Sequence, residues 1–378
     1  MATFGKAAVA QQPEATIHGD ILEAILSHVP LIDLVPASHV SKSWNRAVSS
    51  SLRAVNKPAP WLILHTQGSR PPYATAAHAY DPRSRLWIEI SHPSIKHNSA
   101  LRSSSSNLLY MLSPCRLSFS TDPLHLTWRE VSSPLMWRID PIVALVGRQI
   151  VVAGGRCDLE DDPLAVEIYD VDSSTWTAGD SMPADLNDSA ASAWLSIAAS
   201  ESTLYLTEKQ TGVTHSFDPE TKKWHGPYAL RPDNRIFYSV IGFSGDRLIL
   251  IGVIGNADNV ESLKVWEVDS ETFECEEVGE MPGVLVEKLS SEDVPLSSIG
   301  VCMAEDFVYI YNPAEAEELF MCEFVGGGGC RWRSVENVVE RDRNLTERLA
   351  FTCSKVGIEE LQRAMRSEGR RFTVKVDR

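Results

Sequence analysis

Two rhythms of apolar and polar positions divide this chain. Near its start, Ile17, Ile21, Leu22, Ile25, Leu26 and Val29 fall at offsets 0, 4, 5, 8, 9 and 12. That spacing makes one broad helical stripe. Pro30 stops it, and Asp33 is read as the cap of a short second helix. Val40, Trp44, Ala47, Val48 and Leu52, at offsets 0, 4, 7, 8 and 12, predict a third. Beyond residue 60 the rhythm changes to short β-branched and aromatic runs: "LILH" (62–65), "LLYML" (108–112), "IVVAGG" (150–155), "LYLT" (204–207), "LILIG" (248–252) and "FVYIY" (307–311). Such residues suit a pleated, buried surface. A second apolar run precedes most of them, as in "IVALV" (142–146) and "YSVIGF" (238–243).

A polar turn follows each run and repeats along the chain. It reads "YDPRSRLW", "TDPLHLTW", "YDVDSSTW", "FDPETKKW" and "WEVDSETF". An acid stands six positions before a closing aromatic: Asp81 and Trp87, Asp122 and Trp128, Asp170 and Trp176, Asp218 and Trp224, Glu267 and Phe273. A stretched copy runs from Glu323 to Trp332 through four glycines. The acid is expected to accept hydrogen bonds from the turn, and the aromatic to offer its face to a neighbouring blade. Closing aromatics lie 41, 48, 48, 49 and 59 residues apart. A period near 50 with four strands per unit predicts a mostly β fold, a six-bladed propeller. The first unit lacks an innermost strand, while "LAFTCS" (349–354) is spare. It is expected to complete the first blade and close the ring, which removes exposed sheet edges.

Gly154-Gly155, Tyr169-Asp170 and Trp176 resemble the kelch repeat, over roughly residues 58–355. Only this unit keeps the glycine pair; the others read "HT", "LS", "TE", "GV" and "YN" there. The segment "ILEAILSHVPLIDLVPASHVSKSWNRAV" resembles the F-box. Ile25-Leu26, Val29-Pro30, Leu34 and "VSKSW" (40–44) follow that family's order, with Ile17-His18 where it opens on Leu-Pro. The resemblance implies a three-helix module, residues 16–57, that docks the Skp adaptor of cullin–RING ubiquitin ligases. Ile17, Ile21, Leu22, Ile25, Leu26, Leu34, Val40 and Trp44 are where it places that contact and the module's own small core. An F-box followed by kelch repeats is similar to the plant F-box/kelch-repeat family, and residues 17–53 to the group directed at chalcone synthase. That implies a non-catalytic substrate-recognition subunit, without cofactor, whose client is an enzyme of flavonoid or phenylpropanoid synthesis.

Composition narrows the alternatives. The net charge is −16. Up to Lys57 the chain carries five Lys/Arg and four Asp/Glu, a net of +1, so the remainder carries −17. A surface that acidic argues against a nucleic-acid or anionic-membrane partner and could steer a basic patch on a client. Seven widely spaced cysteines without a CxxC suggest reduced thiols in the cytosol or nucleus. Residues 1–15, without a long apolar run, read as a flexible tail rather than a signal peptide. No nucleophile elbow, phosphate loop or HExxH motif occurs. His92 with His97, and Cys322 with Cys330, fall short of a metal ligand set. In the tail 356–378, Ile358, Leu361 and Met365 stand at helical spacing. Two rival readings remain: a kelch-type propeller enzyme, and a scaffold whose helical module packs on its own ring. The adaptor reading expects that module to leave the ring free. The loops near 66–76, 156–165, 208–213 and 255–262 are candidates for client binding.

Overall fold

The computed structural model describes residues 19–54, 58–70, 74–91, 99–104, 107–156, 162–290, 295–326, 328–341, 347–367 and 369–375. Three helices, α1 (Gly19–Leu26), α2 (Leu31–Ser38) and α3 (Lys42–Ala54), precede six antiparallel sheets arranged as a propeller. Blade one runs outward as Glu347–Lys355, Pro60–Gly68, Thr75–Asp81, Leu86–Ser91 and Arg371–Lys375. Its innermost strand comes from the far end of the chain and pairs with the next from Pro60↔Lys355 to Gly68↔Glu347. The other blades have four strands each, starting innermost at Leu101, Ile142, Leu195, Ile236 and Gly300. Three short helices, α4 (Gly283–Leu289), α5 (Val338–Arg341) and α6 (Ile358–Arg366), lie outside the sheets.

Side chains alternate across each blade, so each flank builds a core with its neighbour. Leu62, Leu64, Tyr80 and Trp87 of blade one meet Tyr309, Leu319 and Met321 of blade six. Comparable clusters join blades two and three, three and four, four and five, and five and six. Three tryptophans also bond blade to blade. The indole N–H of Trp87 donates to Glu336 O at 2.9 Å, that of Trp176 to Ser132 O at 3.1 Å, and that of Trp224 to Asp180 O at 3.0 Å. Each acceptor lies at or just beyond the outer strand of the preceding blade, so Trp87 fastens the last blade to the first. Trp332 instead packs in the core between blades five and six, and Trp128 against Leu101, Leu109, Met111 and Ala350.

The turn acids bind the loops that follow them. Asp81 accepts from Arg83 N at 3.0 Å, Asp170 from Ser173 N at 2.7 Å, and Asp218 from Glu220 N at 2.8 Å. In blade five the expected register is wrong by two residues. The acid accepting the turn N–H groups, from Glu271 and Thr272, is Asp269, and Glu267 pairs with Arg247. Phe273 occupies the left-handed position (φ 59°) held by Arg85, Ser174 and Lys222 in other blades, and Cys275 stands where Trp224 does. Phe273 stacks on Tyr228 of blade four at 3.6 Å. Both Glu267 and Asp269 precede an aromatic or thiol at the same offset, and only backbone geometry separates the two registers.

The second copy of the turn differs too. Asp122 accepts from Leu124, Leu126 and Thr127 N, curling residues 121–128 into a wider loop. Its Leu124 and Leu126 join a core built from Trp61, Ile63, Ala79, Ile88 and Ile90 of blade one. That flank of blade one faces α1–α3 and α6, whose Leu22, Leu26, Leu34, Val48, Leu361 and Ala364 complete the same core. The helical module therefore does not leave the ring free. A segment of about 40 residues buries too little by itself, and here it completes its core on the sheet.

Candidate functional site

The helical module has one buried and one open side. Asp20 sits in the first turn of α1, where the helix dipole favours it. In α2 the cap position is Pro30; Asp33 lies in the first turn and provides no cap bond, which corrects the expectation. Ser41 Oγ accepts from Trp44 N at 3.2 Å at the start of α3. Glu23 and Ser50 tie α1 to α3 at 2.7 Å. From α6, Gln362 donates to Ser38 Oγ at 2.9 Å, and Arg366 to His39 Nε2 at 2.9 Å.

These anchors divide the residues expected to meet an adaptor. Leu22, Leu26 and Leu34 are fully buried in the shared core, and Trp44 is half-buried against it. Ile21, Ile25 and Val40 are exposed by 57, 49 and 62%. Ile17 lies outside the described residues. The F-box resemblance groups all eight as one apolar face; burial divides the described ones into residues that pack in the core and residues that stay in water.

The ring has two ends. First-to-second and third-to-fourth strand turns lie at one end; second-to-third and blade-to-blade connections lie at the other. The helical module enters at Pro60 and α6 leaves after Lys355, both at the first end. The candidate loops near 66–76, 156–165, 208–213 and 255–262 all join second to third strands, so they share the opposite end. Of these, residues 71–73 and 157–161 lie outside the described residues, as do His92 and His97.

A central channel of about 840 Å³ passes between the innermost strands. At its loop-side mouth Arg102 pairs with Asp140, and Ser192 Oγ donates to Asp140 at 2.8 Å. Lys209 donates to Ser192 O and Ala193 O, and burial lowers its pKa to about 8. Among the described residues, no group of three or more His, Cys, Asp or Glu could hold a metal ion. Cys322 and Cys330 lie diagonally on paired strands, and the Cys330 thiol donates to Val278 O at 3.5 Å. Gly154 and Gly155, both at positive φ, are needed for close approach. A Cβ on the first would stand 2.5 Å from Ala190 O, and on the second 3.0 Å from Ile139 O.

The chain has relatives among known proteins. The F-box domain model matches residues 19–55. Over 371 residues the chain is 46% identical to F-box/kelch-repeat protein At1g23390 of Arabidopsis thaliana, covering 94% of each chain. It is 30% identical over 129 residues to F-box/kelch-repeat protein At3g61590 of the same plant, covering 32% of this chain and 30% of that one. The solved structure of YjhT aligns at 13% identity with a TM-score of 0.38, over 54% of this chain and 66% of that chain.

Proposed function

Because the chain belongs to the F-box/kelch-repeat family, we propose that it is the substrate-recognition subunit of a Skp–cullin–F-box ubiquitin ligase. Its client is an enzyme of flavonoid or phenylpropanoid synthesis, chalcone synthase first. The helical module binds the Skp adaptor and the far end of the ring holds the client. The protein itself makes and breaks no bond. It raises the effective concentration of client lysines near the bound ubiquitin-conjugating enzyme. The observation that carries this reading is the open side of the module: Ile21, Ile25 and Val40 stay in water while the opposite side is fully buried. Exposed aliphatic side chains on an already anchored helix are a standing incentive for a partner. The similarity of residues 17–53 to the chalcone-synthase group supports the choice of client. Cysteines without a disulfide framework support a cytosolic or nuclear location.

Co-purification with the Skp adaptor tests it. Ile25→Asp with Val40→Asp is expected to abolish adaptor recovery while leaving the melting temperature unchanged, since neither side chain is in the core. Unchanged recovery would reject the adaptor reading. Purified chalcone synthase that fails to bind the wild-type ring would reject that client alone.

A further inference from the structure

At the loop end of the ring, residues 135–139 (LMWRI) belong to the connection between blades two and three. Alternate side chains turn outward: Leu135 is exposed by 86%, Trp137 by 43% and Ile139 by 60%. Arg138 between them is fully buried. Its guanidinium donates to Glu167 at 2.9 Å, to Gly154 O at 3.2 Å and to Ala165 O. The same Glu167 carboxylate accepts from Leu135 N at 2.6 Å and Met136 N at 3.3 Å. Ile139 bridges to Arg156 through both backbone bonds, an approach that Gly155 makes room for. Trp194, exposed by 54%, stands on the next connection, where Ser192 is bonded to Asp140.

A buried ion pair is a poor source of stability compared with an apolar pair of similar size. What this one supplies is position: it fixes the ridge with three apolar side chains facing water. Isolated exposed apolar residues are ordinary, whereas three on one anchored connection, with Trp194 on the next connection bonded to it through Ser192 and Asp140, mark an interaction surface. The described residues around it carry Asp140, Asp162, Asp180, Asp185 and Asp188 against Arg102, Arg138, Arg156 and Lys209, with Arg102 paired to Asp140. Arg138 is spent on Glu167. The ridge is therefore apolar at its centre and acidic at its rim.

We propose that the Leu135–Trp137–Ile139 ridge with Trp194 is the surface that grips the client, and that the client presents an apolar groove rimmed by lysine and arginine. This rests on the substrate-receptor reading. It goes further by fixing where on the ring the client sits and what chemistry it must show.

The test uses the full chain in plant cells, with a photo-reactive phenylalanine analogue at Ile139, or as a control at Asp246 on the opposite end. The expected result is an adduct from position 139 alone, mapping to an apolar surface with basic neighbours on another protein, and weakening as salt rises. Trp137→Ala with Trp194→Ala should lower client affinity roughly 30-fold or more and abolish its ubiquitination. Trp137→Phe should keep most of both. Leu135→Asp, at a side chain outside the core, should give the same loss if the double variant folds poorly. An adduct from position 246 alone, a second copy of this chain captured at 139, or no adduct at either position would overturn the proposal. Skp recovery is read in the same preparation. Its loss from wild type would reject the ligase reading, whereas normal recovery with an unaffected Trp double variant would reject the ridge alone.

Discussion

The wide turn of blade two puts a histidine where no repeat unit predicts one. His125 sits in a left-handed conformation at φ 53°, buried, with Nε2 2.9 Å from Thr352 Oγ1 and its ring 5.4 Å from that of His65. Burial lowers its pKa to about 4, against a smaller opposing pull from Asp122. Since the folded value lies below the ordinary one near 6.5, the unfolded chain binds the proton first as pH falls. The contribution of this group to stability is then constant above about pH 6.5 and is lost progressively as pH falls from there towards 4. Urea denaturation from pH 7 to 4 should show that slope in wild type and a flatter one in His125→Gln; equal slopes would show that another group carries it. In the sequence this histidine is one letter inside "TDPLHLTW", indistinguishable from its counterparts. The Asp–Trp offset that revealed the repeat could not reveal that Asp122 accepts from the N–H groups of Leu124, Leu126 and Thr127 and swings Leu124, His125 and Leu126 inward. The same blindness misplaced Glu267 and Phe273, because an offset between two residue types does not report which residue takes the positive φ.

Among the elements, α6 and the strand after it change the picture most. Helical spacing at Ile358, Leu361 and Met365 was legible, but Arg371–Lys375 is a short alternating segment whose partner, Leu86–Ser91, lies far away in sequence. Nothing local distinguishes such an edge strand from a loop. Together they strap the module to blade one: Leu361 and Val356 are fully buried, and Arg370 reaches Leu126 O at 2.8 Å. A chain ending at Lys355 would lose the burial of those two side chains, worth roughly 3–6 kcal/mol. It would also bare part of Trp61, Ile88 and Ile90. The expected outcome is a lower melting temperature and increased binding of an apolar dye, with the far blades unchanged in native-state hydrogen exchange. An unchanged melting temperature would mean that the strap is ornamental and that α1–α3 hold to the sheet by themselves.

For the molecule as a whole, the shared core makes the distance between its two working ends a property of the fold instead of a linker. The repeat period showed a ring and the stripe showed a helical module. Neither could show how they meet, because a stripe that packs on its own sheet and a stripe that waits for a partner have the same spacing. Leu26 and Ile25 are adjacent in sequence and face opposite fates. A docked module should be indifferent to the length of the segment that joins it to the ring. Ten Gly/Ser residues inserted ahead of Pro58 would let a tethered module wander by about 17 Å, lowering the effective concentration of client lysines. In a reconstituted ligase, this insertion alone should leave both the rate of client ubiquitination and the set of modified lysines as in wild type. Leu361→Asp, which places a charge in the core beneath α2, should undock the module, and only then should the insertion slow the reaction and spread it over more lysines. If the insertion by itself changes the pattern, the module works as a free hook, and the core that it shares with blade one is not what aims the ligase at its client.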